Sequence, residues 1–370
     1  MRKKIFSVLS LTAVALTIFA SSTSASSTRQ SGAWQAQIKV QGTFSGFLSA
    51  NHSLYAVLDS STGPQLRGRR LIRIDPSNGR VLARSKILPG VEVPVYVGGS
   101  LWTTGVTYYS KDARHEGPRI LERIDPTTLA VQQSKLAPNV NQLLGGPNQM
   151  LWEEISSPTE CTFRRVDPRN SSIVLAHTRR LAKGRCVGAS LGSAGQRIYV
   201  ETNSAEPGFD TLYEIRAMNG SIVSHVNIAQ LAQFVSIAAQ GNGVWIAGGD
   251  PGVGGAMQYL TISPLRLVDV SNPFDVNLDP NNLHNLPQFG QFPVVNISRD
   301  AVWVSSDGVL ACFDPSNGQT LATVQQPKTP IITNTFAVVD GFTWADANYS
   351  SPGPGVGLAL IHPPDRCFAR

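Results

Sequence analysis

Apolar and polar positions alternate along this chain in short runs, and one kind of run recurs seven times. Each copy has a turn rich in Gly, Asn or Asp, followed by a short apolar run with an aromatic residue at its centre, as in GNGVWIAGG and RDAVWVSS. The seven aromatic residues are Tyr55, Trp102, Trp152, Tyr199, Trp245, Trp303 and Trp344. Their spacings are 47, 50, 47, 46, 58 and 41 residues. Alternation over such short runs predicts half-buried β-strands, here in a repeated unit.

A second run follows the aromatic strand in most copies. It is an alternating stretch, then Asp-Pro-x-x-Gly, then another apolar stretch, as in LIRIDPSNGRVL from Leu71, and weaker versions begin at Leu212 and Leu358. Proline cannot donate to a strand ladder, and an aspartate carboxylate accepts nearby backbone N–H groups. We therefore predict that the aspartates of these sequences are turn residues. They are Asp75, Asp125, Asp167 and Asp314.

An apolar run also precedes each aromatic strand, as in VPVYV and FVSIAA, so each copy is predicted to hold four strands. Four strands with their turns need roughly 40–50 residues, so seven copies predict an all-β fold, a seven-bladed β-propeller with four-stranded blades. The last copy ends near Cys367 without an outer strand. We expect Trp34–Val40 to supply that strand and close the ring, and we expect the aromatic rings to pack between blades.

The first 25 residues are predicted to be a signal peptide. Three cations, Arg2, Lys3 and Lys4, precede an apolar-dominated stretch of 16 residues from Ile5 to Ala20, which is short for a spanning helix. Small residues up to Ala25 suit cleavage there, and an uncleaved N-terminal anchor is the alternative. The remaining residues, 26–370, are predicted to be one secreted, extracellular and monomeric propeller domain without a later membrane span.

Charge and cysteine content narrow the partners and the compartment. The formal net charge is +6, and loss of the three N-terminal cations leaves +3, with no basic stripe for a phosphate backbone. We therefore predict no nucleic-acid partner. Four cysteines in an exported chain suggest two disulfides, for which three connectivities exist. The pairing Cys161–Cys186 with Cys312–Cys367 is favoured because it joins near neighbours in the ring, and metal-binding free thiols are the alternative.

Candidate site residues lie in the segments between second and third strands, which share one face of a propeller. Acidic groups from several blades at the mouth of the central channel could bind a cation or a basic or amine-bearing ligand, whereas solvated loop charges are the interpretation that the sequence favours. The candidates are Tyr108, His115, Glu153, Glu154, Glu201 and Asp346. The Asn- and Pro-rich segment 273–292 is predicted to be an inserted loop over the same face. No catalytic, cofactor or metal motif occurs, so we predict neither a cofactor nor a metal.

The pairing of an aromatic strand with RIDP-x-NG-x-VL resembles the seven-bladed propellers of the YVTN/YncE-like and virginiamycin B lyase-like group, and more distantly quinoprotein blades. The resemblance implies a secreted or periplasmic protein, most often a binding protein and in a minority of cases a lyase, and the signal segment is typical of a bacterial one. The lyase histidine and glutamate have no matching motif, and the tryptophan-docking motif of quinoprotein blades is missing. We therefore expect a non-catalytic module that binds a small ligand or a protein. The alternatives are a lyase or hydrolase-like enzyme using residues at the channel mouth, and a structural module of a cell-surface assembly.

Overall fold

The structure is a computed structural model. It describes residues 34–40, 43–59, 68–89, 91–107, 117–156, 160–170, 173–175, 181–183, 191–202, 211–227, 234–240, 243–250, 254–261, 283–286, 294–298, 301–306, 309–315, 320–325, 331–349, 355–361 and 365–367. The predicted signal peptide, residues 1–25, lies outside them. Within the described part the fold is an all-β propeller built from antiparallel sheets.

The strands before residue 190 comprise one N-terminal strand and three sheets. The N-terminal strand is β1 (Trp34–Val40). Sheet one contains β2 (Thr43–Ala50), β3 (Ser53–Asp59), β4 (Gly68–Ile74), β5 (Val81–Arg84) and β6 (Leu88–Pro89). Sheet two contains β7 (Val95–Val97), β8 (Ser100–Val106), β9 (Arg119–Ile124) and β10 (Val131–Leu136). Sheet three contains β11 (Val140–Gly146), β12 (Met150–Ser156), β13 (Glu160–Val166), β14 (Ile173–Leu175) and β15 (Ala182–Lys183), with a 3-10 turn at Pro147–Gln149.

Four further sheets complete the described strands. Sheet four contains β16 (Leu191–Ala194), β17 (Arg197–Thr202), β18 (Thr211–Arg216) and β19 (Ile222–Asn227). Sheet five contains β20 (Phe234–Gln240), β21 (Gly243–Asp250), β22 (Gly254–Thr261) and β23 (Leu283–Leu286). Sheet six contains β24 (Val294–Ile297), β25 (Val302–Ser306), β26 (Val309–Phe313) and β27 (Thr320–Gln325). Sheet seven contains β28 (Ile331–Val339), β29 (Phe342–Tyr349) and β30 (Gly355–Ile361), before a 3-10 turn at Asp365–Cys367.

The N-terminal strand belongs to sheet seven. β1 pairs antiparallel with β30, with Ile38 opposite Leu358 and Val40 opposite Val356. The first strand of sheet one, β2, also packs against β28 of sheet seven. Residues from both ends of the described chain therefore meet in one sheet and at its border with the next.

The aromatic rings occupy the borders between sheets. Trp102 packs with Leu151 of sheet three, Trp152 with Ile198 of sheet four, and Trp303 with Phe336 of sheet seven. Tyr55, Trp245 and Trp344 lie in equivalent clusters, and Tyr199 is buried. The prediction that the rings pack between sheets is confirmed for Tyr55 and these five tryptophans.

Some rings also bond to the turn of the following sheet. The Tyr55 hydroxyl donates to the carbonyl of Pro126 at 3.0 Å, and Trp344 Nε1 donates to the carbonyl of Pro76 at 2.9 Å. Arg165 Nη1 of sheet three reaches the carbonyl of Ala217, which holds the same place in the sheet-four turn, at 3.1 Å. Side-chain hydrogen bonds therefore join sheet one to sheet two, sheet three to sheet four, and sheet seven to sheet one.

The Asp-Pro turns form as predicted at three positions. Asp75 Oδ1 accepts from the backbone of Ser77 at 3.0 Å, and Asp125 Oδ1 accepts from the backbone of Thr128 at 2.8 Å. Asp167 Oδ1 accepts from the backbone of Arg169 at 2.8 Å. Hydrogen bonds to the ionised carboxylates lower the pKa values of Asp75 and Asp125, so these groups stabilise turns as anions.

A disulfide bond joins two elements in the C-terminal half of the chain. Cys312 and Cys367 form a disulfide with Cα atoms 6.0 Å apart, which joins β26 to the last 3-10 turn. Cys161 is also disulfide-bonded, and Cys186 lies outside the described residues.

The interpretation of 273–292 entirely as a loop was wrong, because Leu283–Leu286 forms β23 and pairs with β22. The chain returns there to complete the sheet.

Replacing Trp245 with Ala is expected to lower the free energy of unfolding by about 3–5 kcal/mol, because its ring fills the border between sheets five and six. Urea denaturation of the two proteins measures the difference. Leu136→Ala is the control, since that side chain is 70% exposed and its loss should change stability by less than about 0.5 kcal/mol. Equal effects of the two substitutions would contradict the inter-sheet role of the ring.

Candidate functional site

The structure places the predicted site residues in two groups. Tyr108 and His115 lie outside the described residues. Glu153 and Glu154 lie in β12, Glu201 lies in β17, and the backbone of Asp346 lies in β29. The four acidic residues therefore belong to the second strands of three sheets.

The three glutamates are buried in strands, where loop positions had been expected. Glu153 and Glu154 have no exposed surface, and Glu201 is almost fully buried. The difference arises because β12 continues past Trp152 to Ser156, so both residues pair with β13 before the chain turns. Solvated loop charges, the interpretation that the sequence favours, therefore do not describe these three side chains.

Glu153 forms an ion pair within sheet three. Its Oε2 accepts from Nε of Arg164 at 2.7 Å and also from Nη2 of that residue, on the facing position of β13. Lys135 of sheet two lies close enough for the charge of Glu153 to raise its pKa, although burial lowers that pKa by more. Glu153 is thus matched by cations, as expected for a structural ion pair.

Three of the predicted acids occupy one place in the repeat, two residues after the aromatic ring. Polar residues fill this place in five of the seven copies, and we call them the polar layer. They are Thr104, Glu154, Glu201, Ser305 and Asp346. Each lies within three residues of the end of its second strand, next to the segment that leads to the third strand. The four whose side chains are described are buried.

Glu154 has an incomplete set of hydrogen bonds. Its Oε1 accepts from Nδ2 of Asn141 on the neighbouring strand β11 at 2.9 Å. Its Oε2 is buried and has no hydrogen-bond partner among the described residues. Burial raises the pKa of Glu154 to about 7, while the Asn141 hydrogen bond and the charge of Arg119 oppose the rise and Glu92 adds to it. The carboxyl therefore changes charge near neutral pH.

Arg119 connects this carboxyl to sheet two. Its Nη1 donates to the carbonyls of Val140 at 3.2 Å and Asn141 at 3.0 Å, and lies 3.9 Å from Oε1 of Glu92. Thr104 of the polar layer donates to the carbonyl of Val140 at 3.4 Å. Sheet two therefore holds the first residues of β11, and Asn141 lies between the guanidinium and the buried carboxyl.

A second buried carboxyl, Glu122, lies in β9 between Thr103 of β8 and Ser134 of β10. Its Oε2 has no hydrogen-bond partner in the described part of the chain, and burial raises its pKa to about 7. Glu122 is absent from the sequence candidates because the motif LERIDP marks it only as one position of an alternating strand. Arg119 and Asn141 were missed as well, since only the fold brings them to Glu154.

The Glu154 carboxyl has a pKa of about 7 and is influenced by the charge of Arg119. It can accept hydrogen bonds or a positive charge when ionised, and it can exchange a proton when neutral. Within the described ranges no three His, Cys, Asp or Glu side chains are grouped to hold a metal ion. No helix of that same part is long and apolar enough to cross a membrane.

Comparisons with known proteins agree with the fold. No protein-family model and no curated protein sequence matches the chain. The WD40 domain of Neurospora crassa Pan2 is similar in structure, with a TM-score of 0.56 and 9% identity over 87% of this chain and 90% of that one. The WD40 domain of Toxoplasma gondii coronin gives 0.55 and 10% over 90% and 86%. BamB of Moraxella catarrhalis gives 0.49 and 12% over 89% and 99%. At these identities the first two show a shared propeller fold.

Stability is expected to fall as pH rises from 5 to 8, because Glu122 and Glu154 keep a proton in the folded protein at pH values where the unfolded chain has released it. The loss is complete above pH 7 and amounts to at most about 3 kcal/mol per group. The measurement is the melting temperature across this range for the natural chain and for the double variant Glu122→Gln, Glu154→Gln. The variant should show a flatter profile, and parallel profiles would contradict the assignment.

Proposed function

We propose that the chain is a secreted seven-bladed propeller that binds a ligand or partner protein through one face of the ring. That face is formed by the segments between second and third strands. The observation that carries the proposal is the polar layer, because burying a polar side chain costs free energy unless it is hydrogen-bonded, and Oε2 of Glu154 has no hydrogen-bond partner among the described residues. The layer's members stand near the ends of second strands, and in the sequence Tyr108 and His115 follow the second strand of sheet two.

A closed ring is the second part of the proposal. Three observations support it: the pairing of β1 with β30, the packing of β2 against β28, and the bond from Trp344 to Pro76. The N-terminal strand is then the outer strand of the seventh blade. Secretion rests on residues 1–25, and membership of the YVTN/YncE-like group stays a prediction from the strand and turn motif.

A lyase or hydrolase-like activity is the second candidate function. It is favoured by Glu154, since a general acid or base works best with a pKa near the operating pH. Binding is preferred because, in the described part of the chain, the charges that act on Glu154 are those of Arg119 and Glu92, and neither residue supplies an activated nucleophile. Turnover of a bound ligand would move the assignment to this alternative.

The proposed binding face is tested by a thermal-shift screen of the protein with divalent cations, amines, sugars and short peptides. A ligand at 100 times its dissociation constant should stabilise the protein by about 2.7 kcal/mol. Tyr108→Ala with His115→Ala is expected to reduce the shift. Val223→Ala, at an exposed position of the outer strand β19, is the control and should leave the shift unchanged. A shift that responds to the control alone would place binding on the outer wall.

Ring closure is tested by truncation. Deleting residues 26–41 removes β1, leaves β30 with an unpaired edge, and is expected to abolish cooperative thermal unfolding. Deleting residues 26–33 is the matched control, because it keeps β1 and should preserve cooperative melting. Circular dichroism at the strand signal records both transitions. Cooperative melting of the longer deletion would show that the ring does not depend on this strand.

A further inference from the structure

We infer that the Glu154 carboxylate, at the junction of sheets two and three, is the receiving group of a subsite for a primary ammonium ion. This inference rests on the proposed binding function and narrows it to a ligand class. We call the surrounding residues, Glu92, Arg119, Asn141 and Glu154, the Glu154 subsite. A small free amine and a lysine side chain both carry this group and share its chemistry.

The first argument is the contrast between two adjacent glutamates. Glu153 and Glu154 are both fully buried and point to opposite faces of β12. Glu153 is neutralised by a two-point contact with Arg164. Glu154 has only the neutral Asn141 amide on Oε1, and its Oε2 receives no hydrogen bond from the described residues. Oε1 of Glu153 also lacks a hydrogen-bond partner among the described residues, but the charge of Glu153 is already paired with Arg164. Within the described part of the chain, Glu154 therefore differs from Glu153 in having no cation hydrogen-bonded to its carboxylate.

The second argument is charge. The charged groups that act on Glu154 from the packed segments are Arg119 of β9 and Glu92, which precedes β7. With Glu154 ionised the three groups carry a net charge of −1, and one monovalent cation neutralises them. An anion would meet two carboxylates. A divalent metal needs more oxygen ligands than this group offers, and no metal-holding set of side chains occurs in the described part of the chain.

The third argument concerns the donor and its route. An ammonium group carries three N–H donors, so one can fill Oε2 while others reach neighbouring acceptors. The side chains of Arg119 and Glu92 are 21% and 37% exposed, so this edge of the subsite reaches solvent.

Ammonium binding requires the ionised form of Glu154. When the carboxyl is neutral before binding, its O–H bond breaks and one proton passes to the solvent for each ammonium ion bound. The ammonium keeps its own protons throughout the range from pH 5.5 to 8, since alkylamines titrate near the lysine value of about 10. The pH dependence of binding in that range therefore reports on the protein.

The test is calorimetric titration of the purified protein with n-butylamine hydrochloride and, separately, with Nα-acetyl-lysine amide. The affinity should rise at least about tenfold between pH 5.5 and pH 8, because the ionised fraction of a carboxyl with a pKa of about 7 rises by more than that. At pH 6.5 the measured heat should vary with the ionisation enthalpy of the buffer, which reveals the released proton. Binding of n-butylamine alone would assign the subsite to small amines. Binding of Nα-acetyl-lysine amide, whose side-chain ammonium is free, would assign it to lysine side chains.

Glu154→Gln is expected to weaken binding at least tenfold at pH 8, whereas the matched variant Glu122→Gln should bind like the natural chain. Wild-type affinity in Glu154→Gln, a flat pH profile, or no binding of either probe at millimolar concentration would overturn the inference. If Glu154→Gln does not fold, the inference is tested by the buffer dependence of the binding heat of the natural chain at pH 6.5, and a heat that is the same in all buffers would overturn it. Absence of amine binding would overturn the Glu154 subsite but not the proposed binding face, which the thermal-shift screen with the Tyr108 and His115 variants tests separately.

Discussion

The interaction on which the rest of this structure depends is the packing of one sheet's aromatic ring against the next sheet. A four-stranded sheet has two faces and cannot bury either alone, so each sheet is stable only between two neighbours. Trp102, Trp152 and Trp303 supply the large apolar surface at three of these borders. At the border of sheets seven and one, Trp344 packs in the same way with Leu54.

The hydrogen bonds to the turns add direction to this packing. A ring or guanidinium in one sheet donates to a backbone carbonyl in the turn of the following sheet, as Tyr55 does to Pro126 and Trp344 does to Pro76. Apolar packing alone would allow one sheet to slide along the next, whereas a directional hydrogen bond to a turn fixes the position of one sheet relative to the other. The Asp-Pro turn thus serves two purposes, since the aspartate closes the turn and the proline carbonyl receives the neighbour.

The sequence predicts the strands and turns well because their signals are local. Alternation, the aromatic position and Asp75 with its Asp-Pro partners are each readable within ten residues. The buried state of Glu153, Glu154 and Glu201 was not predictable in the same way, since a charged residue after an aromatic strand residue suggests a loop. Only the register with β13 and the neighbouring sheets shows that these strands continue. The β23 strand was missed because its partner β22 lies more than twenty residues earlier.

A buried carboxyl without a cation is tolerated in a fold only at a cost in free energy, which the protein lowers by keeping it protonated. In sheet three the same strand shows both solutions, because Glu153 is paired with Arg164 and Glu154 is left with a raised pKa. An apolar residue at position 154 would remove that cost, as Val57 and Ala247 do at this place in other copies. Packing therefore does not require an acid there, and the hydrogen bond to Asn141 recovers only part of the cost. The remaining cost is consistent with the proposed role of this carboxyl in binding.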